Sequence, residues 1–137
     1  MEEFEARRRF AAASVARLAT TRPDGAAHIV PVVFAVDGDR IYTPVDHKPK
    51  RGAAQLQRLM NLRHEPRCAL LADHYDDDWS RLWWVRADGR AVVVDAPADD
   101  HVGRRLLTAR YPVYEDIPLS GAIIVVTVAA WTGWQAA

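Results

Sequence analysis

Val15-Ala16-Arg17-Leu18-Ala19-Thr20-Thr21-Arg22-Pro23-Asp24-Gly25-Ala26-Ala27-His28-Ile29-Val30-Pro31-Val32-Val33-Phe34 decides the fold class. Val15 to Thr21 alternates apolar with polar residues, the period of a half-buried strand. Arg22-Pro23-Asp24-Gly25 then reads as a tight turn, because proline presets φ and glycine accepts positive φ. Ala27 to Val36 is rich in β-branched residues and reads as a second strand. Its Pro31 cannot donate to a ladder, so it belongs at an edge, at a bulge, or beside something that is not a strand.

Outward from this hairpin the signals stay short and mostly β. Residues 3–14 are charged and Ala-rich, with Phe4 and Phe10 as anchors, and predict a helix. Asp37-Gly38-Asp39 is a hairpin turn into a third strand over 40–45. Residues 49–64 change to a helical period, between Pro49 and Pro66. Strands are predicted over 67–73, 82–95 and 121–131, with a helix opened by Pro97 that carries Val102, Leu106 and Leu107. Asp88-Gly89 reads equally as a turn or as a bulge. Short strands joined by hairpin signals suggest an antiparallel barrel with a few helices attached, and without strict β-α-β alternation a doubly wound parallel sheet is not expected.

The 137 residues suit one domain spanning 1–137 and can bury a core without a staple. Eighteen Lys and Arg balance eighteen Asp and Glu, which argues against a binder of nucleic acid that relies on a basic surface. A single Cys68 excludes an internal disulfide and fits a reducing compartment. The charged N-terminus is unlike a signal peptide, and no apolar run approaches the length of a membrane span. A cytoplasmic protein with no membrane partner is expected.

Chemistry concentrates in Tyr42-Thr43-Pro44-Val45-Asp46-His47-Lys48-Pro49-Lys50-Arg51-Gly52, a strand end running into a helix start. Lys48, Lys50 and Arg51 sit where the helix dipole is positive, an arrangement that an anion would relieve. A solvated basic face countered by Asp46 is the plain alternative. Five tryptophans are many for this length, and adjacent Trp83 and Trp84 must point to opposite faces of a strand. Trp134, near the chain end, is positioned to reach a second subunit. The acidic run 73–78 lacks calcium-loop spacing and the five histidines lack metal-type pairing, so no metal site is expected. No nucleophile elbow, phosphate loop or dinucleotide fingerprint is present. An anion site beside aromatics, without acid–base machinery, suits a protein whose cofactor carries the chemistry.

The strands 15–20 and 28–34, with the turn between them, resemble the opening of the pyridoxamine 5′-phosphate oxidase-like split barrels. The runs Val45-Asp46-His47-Lys48-Pro49-Lys50-Arg51 and Asp73-His74-Tyr75-Asp76-Asp77-Asp78-Trp79-Ser80-Arg81-Leu82-Trp83-Trp84-Val85-Arg86-Ala87-Asp88-Gly89-Arg90-Ala91 resemble an actinobacterial branch of it, the oxidoreductases that use the deazaflavin coenzyme F420. The resemblance covers about Phe10 to Trp134. It implies a mainly β, six-stranded antiparallel split barrel with about three flanking helices, and a homodimer with two cofactor sites at its interface, each built from both protomers.

Val30, Pro31, Val32, Thr43 and Pro44 would lie along the ring system, and Lys48, Lys50 and Arg51 would hold the phosphate. Trp79, Ser80 and Arg81 would approach the ring or the anionic tail, and Trp134 would come from the other subunit. It also favours a bulge at Asp88-Gly89. The arginine and histidine pattern by which the oxidases themselves bind substrate is missing near the C-terminus. The expected activity is hydride transfer between coenzyme F420, or alternatively FMN, and a small electron-poor organic substrate. Proton delivery falls to solvent, Tyr75 or His74, and no residue is assigned as catalytic. A non-catalytic flavin- or haem-binding protein is the rival from another class, and a binder of single-stranded nucleic acid is a weaker one.

Overall fold

A computed structural model describes residues 1–45 and 52–137, and the side chains of residues 52–56 lie outside that description. The elements in chain order are α1 (Glu3–Ala12), β1 (Ala16–Thr21), β2 (Ala27–Val32), β3 (Ala35–Asp37), β4 (Arg40–Pro44), α2 (Gly52–His64), β5 (Arg67–His74), a 3₁₀ turn (Trp79–Arg81), β6 (Trp83–Val94), α3 (Val102–Arg110), α4 (Val113–Asp116) and β7 (Ile123–Gln135). Two glycines carry the turns: Gly25 closes the first hairpin at φ 90° and Gly38 the second at φ 60°. Both values lie where a side chain is strained.

All seven strands form one sheet in the order β2-β1-β5-β6-β7-β4-β3, and every pairing in it is antiparallel. Its two end strands, β2 and β3, are neighbours in sequence, separated only by Val33 and Phe34. A flat sheet of this order would hold its ends about 29 Å apart, at about 4.8 Å per strand. The chain from Val32 to Ala35 reaches at most about 11 Å. The sheet must therefore curl until its ends meet, and the product is a split barrel.

This closure corrects the expected six strands to seven. The predicted strand over 27–36 is divided at Val33-Phe34, because its first half pairs with β1 and its second half with β4. The backbone groups at the break turn to side chains instead of a ladder. Thr43 Oγ1 donates to the Val33 carbonyl at 2.8 Å. The Tyr111 hydroxyl accepts from Phe34 N–H at 3.1 Å and lies 3.0 Å from the Phe34 and Ser14 carbonyl oxygens. Pro31, opposite Arg17, lies on an end strand of the sheet, where its missing N–H costs no ladder bond.

Helices also number four among the described residues, not about three, since the short α4 had no periodic signal. β7 runs on through Thr132, Gly133 and Trp134, past the predicted end at 131. β6 is continuous, with its register shifted between Asp88 and Gly89, so the bulge reading holds. A Cβ on Gly89 would collide with the Thr127 carbonyl oxygen, which is why glycine stands there.

The barrel interior holds Leu18, Ile41, Leu70, Val85, Ile124 and Val126, joined by Ala6 and Phe10 of α1 and Leu59 and Leu62 of α2. The Phe10 ring lies 4.8 Å from Phe34 and 5.3 Å, edge-on, from Trp131. Asn61 is fully buried, yet satisfied: its Nδ2 donates to Thr20 Oγ1 at 3.0 Å and its Oδ1 accepts from Gln57 at 2.7 Å. Outside the barrel, α3 lays Leu107 on Tyr42, Ala35 and Ile123 and covers β3 and β4.

Tyr111→Phe removes the acceptor of the Phe34 N–H while leaving the ring. We expect it to lower unfolding stability by about 1–3 kcal/mol in a denaturant titration, the scale of a buried donor left unpaired. An unchanged midpoint would show that the strand break does not depend on that hydroxyl.

Candidate cofactor site

Directly paired residues of an antiparallel ladder share one face of the sheet. That rule defines what the outside of the barrel presents over β2, β1, β5, β6 and the end of β7. One row reads Pro31, Arg17, Leu71, Arg86, Thr132; the next reads Ile29, Ala19, Ala69, Asp88, Ala130. A third row joins Asp73, Trp84 and Trp134. The described helices that meet these strands, α1 and α2, pack on the core side through Phe10, Leu59 and Leu62, unlike α3, which covers an outer face. Ile29 is 63% exposed and Trp134 42%. A groove of about 450 Å³ runs along this face between Ile29, Leu71, Tyr75 and Trp84, with Arg17 and Arg86 at its sides.

The groove sets apolar side chains beside two arginines, each paired with a carboxylate. Its walls are aliphatic and aromatic, and its volume lies in the range of small-molecule sites. The Arg86 guanidinium lies 5.8 Å from the Trp84 ring, and Arg17 lies 3.6 Å from Asp73. Both arginines are part-exposed and paired with carboxylates, Arg86 with Asp88 at 2.9 Å.

The expected site residues fall into three groups. Lys48, Lys50 and Arg51, the expected phosphate ligands, lie outside the described residues. Val30, Val32, Thr43 and Pro44 gather at the barrel wall near the strand break. There Val32 is buried, and Thr43 is fully buried with its hydroxyl bonded to Val33. Pro31 faces outward and is exposed, in the row of Arg17 and Leu71. Trp79, Ser80, Arg81 and Trp134 lie elsewhere. Pro44 pairs with Ile123 at one end of β7, while Trp134 stands eleven residues further along that strand. At about 3.3 Å per residue the separation is on the order of 30 Å.

As expected, Trp83 and Trp84 point to opposite sides. Trp83 packs on the core and under the Arg9 guanidinium, 5.4 Å from the ring, and Trp84 faces outward. The outward cluster of Arg17, Leu71, Tyr75 and Arg86 was not anticipated. Its signal was the two-residue alternation in β1, β5 and β6, which identifies a cluster only once the register is known.

The segment after β5 is closely tied. Asp76 Oδ2 pairs with His74 Nε2 at 2.7 Å, and Asp76 Oδ1 accepts from the Asp78 N–H at 2.8 Å. Arg81 approaches the same carboxylate at 3.7 Å. The His74 hydrogen bond is the main reason the Asp76 carboxyl is held below its usual range. Asp78 in turn accepts from Ser80 Oγ at 2.6 Å and Ser80 N–H at 3.1 Å, which caps the 3₁₀ turn.

His28 sits opposite Thr20 on β2. Its Nδ1 is buried without a hydrogen-bond partner, and burial, followed by the charges of Arg22 and Arg58, lowers its pKa. Among the described residues, no group of three His, Cys, Asp or Glu side chains is placed to hold a metal ion. No helix among them is long and apolar enough to cross a membrane.

The closed antiparallel sheet with α3 on one outer face defines the split-barrel class of fold. A family model described as pyridoxamine 5′-phosphate oxidase matches residues 3–135, and the chain belongs to that family. Solved structures agree on the fold. A conserved hypothetical protein of Mycobacterium tuberculosis is 23% identical, with a TM-score of 0.77 over 98% of this chain and 85% of that one. A FAD-binding protein of Mesorhizobium loti is 16% identical, with a TM-score of 0.73 over 97% and 92%. The FAD-binding protein of Mycobacterium smegmatis is 18% identical, with a TM-score of 0.63 over 98% and 94%. No curated protein matches the sequence.

Cys68 is partly buried on β5, and desolvation, then the Asp88 charge, pushes its thiol up to about 12. The nucleophilic thiolate is therefore scarce at neutral pH. Iodoacetamide should label the folded protein at pH 8 at least about a hundredfold more slowly than a model thiol. Labelling should accelerate only toward pH 12 or in denaturant, and labelling on mixing at pH 8 would contradict this environment.

Proposed function

We propose that this protein is an oxidoreductase that holds the deazaflavin coenzyme F420, with FMN as the alternative, between two copies of itself. It would transfer a hydride between that cofactor and a small electron-poor organic substrate. Family membership supports redox chemistry of this type, and two of the similar structures are FAD-binding proteins. The preference for the deazaflavin rests on the sequence runs 45–51 and 73–91.

The observation that carries the reading is the separation along β7. Within one chain Pro44 and Trp134 are too far apart to touch one ring, although both belong to the expected set. The bare outer face offers the remedy. A second copy laid against Ile29, Leu71 and Trp84 buries an apolar surface that one copy leaves in water, and burial contributes about 25 cal/mol per Å². In such a dimer Trp134 of one protomer would approach the strand ends of the other.

When bound, the reduced cofactor supplies the hydride. The chain's own residues then bind, orient and exclude water. Lys48, Lys50 and Arg51, which precede α2 in the sequence, would take the phosphate, the charge that a helix start and basic side chains favour. The apolar wall would fix the ring plane and keep solvent from the transferring face, and such orientation lowers a barrier by several kcal/mol. The FAD-binding neighbours also favour a second reading, a flavin carrier without turnover.

Titration with coenzyme F420, FMN and haem separates these readings. The expected result is binding of F420 or FMN below about 100 μM, an affinity near −5.5 kcal/mol. Oxidation of the reduced form should follow with one or more of a panel of quinones and enones. Binding without oxidation favours the carrier, and failure of both flavin-type cofactors to bind refutes the proposal. Lys50→Ala with Arg51→Ala should weaken cofactor binding by about 1–3 kcal/mol, the scale of lost charge-assisted hydrogen bonds. Unchanged affinity would remove those residues from the site.

A further inference from the structure

The segment between β5 and β6 combines two properties that rarely go together. It is tied down, and it holds large aromatic side chains in water. Trp79 is 77% exposed and Tyr75 60%. Trp79 also sits within the 3₁₀ turn, so its backbone is fixed by Arg81 N–H to Asp78 O at 3.1 Å and Leu82 N–H to Trp79 O at 3.3 Å. Exposed aromatics on a mobile loop need no explanation, since the loop can fold them away. On a segment fixed from both ends they leave an apolar surface with nothing against it in the free chain, which is the signature of a contact site.

The fixing has one centre. The Asp76 carboxylate bonds the imidazole at the end of β5, approaches the guanidinium that ends the 3₁₀ turn, and accepts the Asp78 N–H between them. Asp78 repeats the pattern one step later, through the Ser80 N–H and hydroxyl. Tyr75 borders the groove of the bare face, so this segment adjoins the surface already argued to receive the ring.

We propose that Asp76 is a positioning residue, bracing residues 75–81 between His74 and Arg81 so that Tyr75 and Trp79 are set to stack on the planar ring of the bound redox cofactor. This inference rests on the cofactor reading above. Asp76 acts through Trp79, since its own oxygens are spent on His74, Arg81 and the Asp78 N–H. The benefit is preorganisation: a stacking surface held in place before binding loses less freedom when the ring arrives.

The test is a double-mutant cycle on the full-length protein. FMN and coenzyme F420 are the probes, and affinity is read from cofactor fluorescence anisotropy rather than from tryptophan emission. Asp76→Asn and Trp79→Ala should each raise Kd by about tenfold. The double variant should fall well short of the roughly hundredfold loss that independent effects would give, because Tyr75 alone is left for the brace to position. His74→Gln, which keeps a donor for Asp76, should remain within about threefold of the parent.

Thermal melts accompany each variant, and a variant that melts early is replaced by Ser80→Ala, which loosens the same turn. Parent-like affinity for Asp76→Asn, or effects of Asp76→Asn and Trp79→Ala that simply add, would overturn the inference while leaving the cofactor reading intact. A parent protein that binds neither probe would overturn both.

Discussion

Val33 and Phe34 are the only residues between two strands that lie at opposite ends of a seven-stranded sheet. No flat or gently twisted sheet satisfies that link, so the barrel is a consequence of chain connectivity before it is one of packing. The cost falls on the backbone at the join, where neither neighbouring strand supplies a ladder. Thr43 and Tyr111 supply the missing partners, the latter from just beyond the end of α3. Arg110 strengthens the same tie by donating to the carbonyls of Ala12 and Ala13 behind α1.

Closure also divides the outside of the barrel into unequal halves. Over β3 and β4 the strands carry Tyr42 and Ala35 beneath α3, and Gly103 lets that helix approach so closely that a Cβ there would stand 2.9 Å from the Tyr42 ring. α1 and α2 meet β1 and β6 from the core side, and on the outer side Leu71, Ile29 and Trp84 line an open groove. A fold that builds one such cover and omits the other leaves a surface for something outside the chain. The proposed second copy and the proposed cofactor both draw on that asymmetry.

Local signals carried the hairpins and the three longer helices, whereas at Asp88-Gly89 they left turn and bulge open and only the family resemblance favoured the bulge. Arg22-Pro23-Asp24-Gly25 and Asp37-Gly38-Asp39 specify their turns through φ alone, and the alternation in β1 needs no partner to be read. The division of 27–36 was not legible, because Val32 and Ala35 differ only in which strand they face, and Tyr111 lies 77 residues from the Phe34 it satisfies. β7 was read as ending at 131, yet it continues through Gly133, which admits α1. A Cβ at that position would stand 3.2 Å from the Ala6 side chain. The outer rows had the same difficulty. Arg17, Leu71 and Arg86 become neighbours only through register, which single-strand periodicity does not contain.

The account turns on the bare face joining two copies to complete one site. Light scattering after size exclusion, run on the parent and on Leu71→Glu with a cofactor titration of each, tests it most directly. The account predicts a parent of twice 15.4 kDa that binds cofactor. It predicts a variant of single mass with an unchanged circular dichroism spectrum and lost binding. A parent that stays monomeric while binding coenzyme F420 or FMN, or a monomeric variant that binds as tightly as the parent, would contradict it.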